Sequence, residues 1–224
     1  MNLFQNEITQ GSGPTVVFLH GFLGTNADWE PVCSNLTDLH CIAVDLPGHG
    51  KSPFEEKMDL DIEAERFVLV GYSLGGRLAM RYAAEHPERI KSLVLISAHP
   101  GFTSDAEKQK RLLSDAKWAE LLLELPIDEF LAQWYDQPLF HPYKPDLSMR
   151  RMQNKEALAA ALMHYSLGKQ PRYETNGALV LVGERDSKFR SLYTNPVIIP
   201  DAGHMAHLEN PKAIASEILK RISL

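Results

Sequence analysis

Six short apolar runs punctuate the chain, at residues 15–20 (TVVFLH), 41–46 (CIAVDL), 67–71 (FVLVG), 92–97 (SLVLIS), 178–183 (ALVLVG) and 197–200 (VIIP). They are rich in Val, Ile and Leu and do not alternate with polar residues, which is how strands buried on both faces of a parallel sheet read. Between them lie stretches of helical periodicity, among them 74–86, 106–123, 155–168 and 211–223. Strand and helix in alternation predict an α/β fold with a mostly parallel, doubly wound sheet. No internal repeat or low-complexity stretch competes with that pattern.

One interval breaks the alternation. Residues 99–170 hold no convincing strand, only helical segments broken by Pro126, Pro138, Pro142 and Pro145. Such an insertion predicts a helical cap, and caps of this kind cover the carboxyl ends of the strands, where open α/β sheets bind ligands. The expected division is a core of 1–98 and 172–224 with a cap at 99–171. Two crossovers are short. A parallel connection needs a dozen or more residues, usually with a helix; residues 187–196 fall below that and 53–65 sit at the limit, so residues are expected to be missing at both places.

Composition narrows the class. A chain of 224 residues with 44% hydrophobic and 23% charged residues suits one globular domain. A formal net charge of −6, with no basic stripe or tail, argues against a nucleic-acid partner. Two cysteines, Cys33 and Cys41, suggest a reducing compartment rather than a disulfide framework. The stretch MNLFQNEITQ has no basic segment followed by an apolar one, and the apolar runs are strand-length. A cytoplasmic protein without membrane insertion is the expectation.

The candidate chemistry clusters at strand ends. Gly71-Tyr72-Ser73-Leu74-Gly75 fits Gly-x-Ser-x-Gly, the nucleophile elbow, and lies between an apolar run and a helical pattern as that motif requires. Its partners should follow in the order acid, then histidine. Asp186 stands just past the fifth run and His204 past the sixth, so His204 would take the Ser73 proton while Asp186 holds the imidazole. His207 and His20 compete for the histidine role, though His20, before Gly21 at a strand end, reads as a loop-shaping residue. Leu74 N–H and Phe22 N–H, the latter in His20-Gly21-Phe22-Leu23-Gly24, are the candidate oxyanion donors. DLPGHGKS at 45–52 reads as a structural turn. Arg77, one helical turn after Ser73, and Lys188, two residues after Asp186, add positive charge near the same sheet edge.

HGFLG, DLPGHGKS, GYSLGGR and AGH together resemble the α/β-hydrolase superfamily over essentially the whole chain. GYSLGGR, AHPG at 98–101, RLLSDAKW at 111–118, WYDQP at 134–138, GERDSKF at 183–189 and AGHMAHLENP at 202–211 are similar, more narrowly, to the 2-succinyl-6-hydroxy-2,4-cyclohexadiene-1-carboxylate synthases (SHCHC synthases) of menaquinone biosynthesis. The resemblance implies a carbon–oxygen lyase that eliminates pyruvate from a tricarboxylate, without metal or organic cofactor. It also implies that Tyr72, Arg77, Arg111, Trp134, Arg150 and Lys188 bind substrate. Arginines suit carboxylates because their N–H groups can bind both oxygens. A monomer acting on a small molecule is expected. Two other readings compete: a serine esterase or thioesterase with the same triad, acting on a small anionic ester, and a non-catalytic binding protein. The second would be expected to have lost a member of the triad, and all three are present.

Overall fold

The computed structural model describes residues 3–223. Its sheet is built from β1 (Gln5–Gln10), β2 (Thr15–Leu19), β3 (His40–Val44), β4 (Phe67–Tyr72), β5 (Ile90–Ile96), β6 (Leu179–Gly183) and β7 (Val197–Ile199). The strands lie in the order β1-β3-β2-β4-β5-β6-β7. β1 is antiparallel to β3, and every other neighbouring pair is parallel. Six of the seven strands are the six apolar runs. The seventh, β1, is QNEITQ, an edge strand of half-buried and exposed residues. With one neighbour and one covered face, it has no need of the apolar run that marks its neighbours.

Successive side chains of a strand point to opposite faces, and the core divides accordingly. Val16, Phe18, Val68, Val70, Val94 and Ile96 pack in one cluster, while Val17, Leu19, Phe67, Leu69 and Leu95 pack in another. Both sets are buried, so the runs have no polar alternation. Helices α1 (Glu30–Cys33) and α9 (Pro211–Ile222) cover the first face through Val32, Ile214 and Ile218. Helix α2 (Leu74–Glu85) covers the second through Leu74, Leu78 and Met80.

Between β5 and β6 there is no strand among the described residues. The interval holds α3 (Asp105–Glu124), α4 (Ile127–Tyr135), α5 (Ser148–Arg151) and α6 (Lys155–His164). Caps fix their starts: Ser104 Oγ accepts from Glu107 N–H, and Asn154 Oδ1 accepts from Ala157 N–H at 2.7 Å. α6 stops at His164, four residues short of the expected 168. There Ser166 Oγ accepts from Gly168 N–H and donates to Asp115, a side-chain alternative to continued helix.

The short crossovers are closed without full helices. Residues 45–66 join β3 to β4 with no helix, yet Leu60 and Ile62 are buried against the α2 face. Arg89 donates to the Ile62 and Ala64 carbonyls, and the Tyr165 hydroxyl to the Glu55 carbonyl. β6 and β7 are joined through the four-residue α7 (Ser187–Arg190).

Candidate active site

Ser73 sits where β4 turns into α2, at φ 49° and ψ −108°. A non-glycine residue in that region is strained and persists only where the surroundings hold it. Ser73 N–H donates to the Ile96 carbonyl of β5 at 3.0 Å, and Arg77 N–H donates to the Ser73 carbonyl at 3.0 Å. Gly75 admits the turn: a Cβ there would lie 2.2 Å from the Leu19 carbonyl oxygen. The helix therefore starts pressed against the end of β2, and Ser73 projects beyond the sheet edge.

The loops after β6 and β7 bring the expected partners to it. Asp186 caps α7, and its Oδ2 lies 2.8 Å from His204 Nδ1; both side chains are buried. A carboxylate at Nδ1 selects the tautomer with the proton there, leaving the Nε2 lone pair toward Ser73. His204 Nε2 stands 3.3 Å from Ser73 Oγ, within the looser range of sites without substrate. The His204 loop is braced by a residue that sequence reasoning passed over. On α8 (Ala206–Glu209), Glu209 accepts from Gly203 N–H at 2.8 Å and Met205 N–H at 3.2 Å and pairs with Arg185.

The other two histidines stand apart from that chain. His20 donates from Nδ1–H to the Gly21 carbonyl, 2.7 Å away, while its Nε2 accepts from Leu46 N–H at 3.0 Å. Burial pushes its pKa down to about 3, so it ties the β2 loop to the β3 loop as a neutral ring. His207 is buried between Trp29 and Tyr72, with ring centroids 4.9 and 4.1 Å away and no hydrogen bond at either nitrogen. Asp45, the residue after β3, accepts from Asn26 and Lys51 N–H groups, so the DLPGHGKS segment is a hydrogen-bonded turn. Phe22 N–H and Leu74 N–H donate to no described residue; Leu74, as the first residue of its helix, has no carbonyl within it to reach.

In front of Ser73 lies a cavity of about 470 Å³, shared by sheet-edge loops and by α3, α4 and α6. All the expected substrate residues line it, but their charges differ in availability. Arg77 is buried and donates through Nη1 to the Tyr165 carbonyl at 2.8 Å and Gln170 Oε1 at 3.2 Å. It meets no carboxylate among the described residues. Burial and the nearby Arg111 charge press its pKa downward, yet a guanidinium stays cationic at neutral pH. Arg111, half-buried, pairs through Nε with Asp115 Oδ1 at 2.7 Å. Lys188 is exposed and unpaired among the described residues, and Lys110, beside Arg111, adds a cation that sequence reasoning missed.

Arg150 is different. It is buried, with Nη2 3.0 and 3.1 Å from the two Asp28 oxygens, Nε on the Tyr135 hydroxyl and Nη1 on the Asp146 carbonyl. Its charge is matched inside the protein. Tyr72 lies over His204, centroids 5.4 Å apart, and burial raises its phenol pKa. Trp134 packs against Phe22 and Trp118, each at 5.0 Å, and so joins the β2 loop to α3 and α4.

Residues 14–211 match the family described as alpha/beta hydrolase fold. SHCHC synthase of Enterobacter sp. (strain 638) is 36% identical, covering 91% of this chain and 89% of the relative. The chain belongs to the SHCHC synthase family of alpha/beta hydrolases. The SHCHC synthase of Salmonella paratyphi C is also 36% identical, over 96% of both chains. That second match extends over 242 positions against a chain of 224 residues, so this relative carries residues that the present chain lacks. Among solved structures, MenH from S. aureus superposes with a TM-score of 0.84 at 26% identity, over 99% of this chain and 98% of the other. An esterase from Thermogutta terrifontis shares the fold at a TM-score of 0.73 and 23% identity, over 99% and 94%. Among the described residues, no helix is long and apolar enough to cross a membrane.

Proposed function

We propose that this chain catalyses the SHCHC synthase reaction, eliminating pyruvate from 2-succinyl-5-enolpyruvyl-6-hydroxy-3-cyclohexene-1-carboxylate. The observation that carries the reading is the cavity before Ser73, where Arg77, Arg111 and Lys188 face the space that Ser73 and His204 also face. A hydrolase of neutral esters has no use for such charge, whereas a trianion compensates it. Residues 99–171 serve as the cap that closes this space over the core of 1–98 and 172–224.

His204 draws the proton from Ser73 Oγ, and Asp186 stabilises the imidazolium. The Ser73 oxygen then removes the ring proton alpha to the succinyl ketone. The electron pair of that C–H bond passes into the succinyl ketone as an enolate and then returns to form a C=C bond to the next ring carbon, the existing ring C=C shifts one bond along, and the C–O bond to the enolpyruvyl group breaks. Pyruvate leaves as its enolate and takes up one proton, so the enzyme returns to its starting state. The developing enolate oxygen of the succinyl ketone is held by the Phe22 and Leu74 N–H groups; losing one such donor typically costs about 3–4 kcal/mol of transition-state stabilisation. Arg77, Arg111 and Lys188 hold the carboxylates, with Trp134 and Tyr72 as the walls. Arg150 braces Tyr135 and the loop of Asp28 rather than meeting substrate with a free charge.

The test is pyruvate release from the tricarboxylate, read through lactate dehydrogenase. Wild-type protein should turn over and Ser73→Ala should lose about two to four orders of magnitude, the usual contribution of a positioned base. Turnover by Ser73→Ala near the wild-type rate overturns the role of Ser73. No pyruvate from wild type, with an acyl-enzyme burst on an activated ester, selects the esterase reading instead.

A further inference from the structure

One polar ring on the cavity wall has no part in the reaction just described. His99 follows β5 in the segment Ala98–Gly101 and is buried to 7% exposure. Its backbone is pinned on several sides. The Tyr193 hydroxyl donates to the Ala98 carbonyl at 2.6 Å, Gln170 Nε2 to the His99 carbonyl at 3.2 Å, and Tyr173 N–H to the Pro100 carbonyl at 2.8 Å. The ring packs on Phe102 at 4.6 Å and meets Phe189 edge-on at 6.3 Å. Phe189 is in turn 4.6 Å from the His204 ring. His99 is thus held rigidly, one aromatic ring away from the catalytic histidine.

Its tautomer follows from one hydrogen bond. Gly101 N–H donates to His99 Nδ1 at 3.0 Å, so Nδ1 presents its lone pair and the proton of the neutral ring resides on Nε2. Nε2 has no partner among the described residues, and unlike both nitrogens of His207 it is not sealed from the cavity. The ring is therefore a fixed N–H donor on the wall that also presents Arg77, Arg111 and Lys188. Burial and the charges of Arg77, Lys188, Arg111 and Arg172 all oppose a second proton.

We propose that His99 is a substrate-binding residue, donating from neutral Nε2–H to a carboxylate of the bound tricarboxylate. A further cation beside Arg77, Arg111 and Lys188 would raise the repulsion among them. A neutral donor adds a hydrogen bond to the anion without adding charge. The inference rests on the SHCHC synthase reading, and the experiment separates the two.

Asparagine at 99 can accept from Gly101 N–H as Nδ1 does but cannot reach as far as Nε2, while glutamine can place an N–H near the Nε2 position. With the pyruvate assay, His99→Asn should raise KM about tenfold or more with kcat little changed. That is the scale of one hydrogen bond to a charged group, lost equally from ground and transition states. His99→Gln should recover most of that loss. Equal KM in wild type and His99→Asn, or equal losses in both variants, overturns the proposal. Should His99→Asn fail to fold, nitrogen-15 spectra of Ser73→Ala saturated with the tricarboxylate decide instead. A protonated Nδ1, or a His99 Nε2 signal unmoved by substrate, overturns the donor assignment. Absence of pyruvate with wild-type protein overturns the functional reading on its own; the ring spectrum with succinate as probe then still decides the donor, and an unmoved signal overturns it.

Discussion

Asp28→Asn removes one charge from a buried pair and leaves the shapes around it almost unchanged. The pair joins the 3₁₀ turn before α1 to α5, 122 residues along the chain, with contacts of 3.0 and 3.1 Å to both Asp28 oxygens and side-chain exposures of 5% for Arg150 and 10% for Asp28. Burial alone pushes the Asp28 pKa up, and the adjacent Arg150 charge pulls it back. Breaking such a pair leaves an uncompensated charge in a largely desolvated place, at a cost of about 3–5 kcal/mol. Against a total stability of roughly 5–15 kcal/mol for a domain, that is a large share. Replacing both partners by apolar residues of similar volume is often neutral or better. Urea unfolding of Asp28→Leu, Arg150→Met and the double variant Asp28→Leu/Arg150→Met, with Asp28→Asn alongside as the charge-only control, gives each ΔG from the midpoint and slope. The expected pattern is two costly single variants and a double variant within about 1 kcal/mol of wild type, a coupling of more than about 2 kcal/mol. Singles that cost under about 1 kcal/mol, or a double that costs their sum, would refute the assignment of Arg150 as an internal brace.

Two more expectations follow from the site and its surroundings. Arg77→Gln should lower kcat/KM for the tricarboxylate at least about thirtyfold, from a loss of roughly 2 kcal/mol or more for a buried charge-assisted contact. Hydrolysis of a neutral activated ester should change little; parallel losses on both substrates would show that Arg77 supports the elbow instead of the anion. Acid should destabilise the fold through His20 and His49, whose folded pKa values burial lowers to about 3. Because the unfolded rings take up protons below about pH 6.5 and the folded ones do not, their contribution is complete above that pH and is lost as pH falls toward 3. At pH 5 each ring should cost about 2 kcal/mol. Urea midpoints at pH 7.5 and 5.0 check this, and an unchanged midpoint would contradict the neutral assignments.

What could be read from the sequence was whatever is local in the chain. Ser73 is flanked by its own strand and helix, and Asp186 and His204 each follow a strand end, so motif and context stood within a few residues of one another. The parallel strands were legible because both their faces are buried. β1 was not, since a polar edge strand gives no apolar run; nor was the end of α6, which depends on Asp115 from α3 capturing Ser166. Arg150 shows the same limit at the site. Its position in the cavity agrees with what the resemblance implies, but its pairing with Asp28 is a long-range contact that no local pattern encodes. His99 was visible only as part of AHPG, because its chemistry lies in a backbone N–H that fixes its tautomer.

The two buried arginines of the cavity therefore divide along energetic lines. Arg150 is compensated by Asp28 at all times, so its desolvation is offset in the folded protein whether or not anything is bound. Arg77 has only neutral hydrogen-bond partners, the Tyr165 carbonyl at the end of α6 and the Gln170 amide, while Asp115, which is paired with Arg111, acts on it from beyond contact. Carbonyls at a helix C-terminus carry partial negative charge and favour a cation, but they fall short of a carboxylate. The free energy left unrecovered at Arg77 is available to an anion that enters the cavity, because binding then supplies the counter-charge that folding did not. A carboxylate placed permanently beside Arg77 would make the protein more stable and the site less able to hold a trianion. The arrangement of one arginine fully paired and one left to the ligand is what a site selecting on negative charge requires, and it sits one helical turn from Ser73.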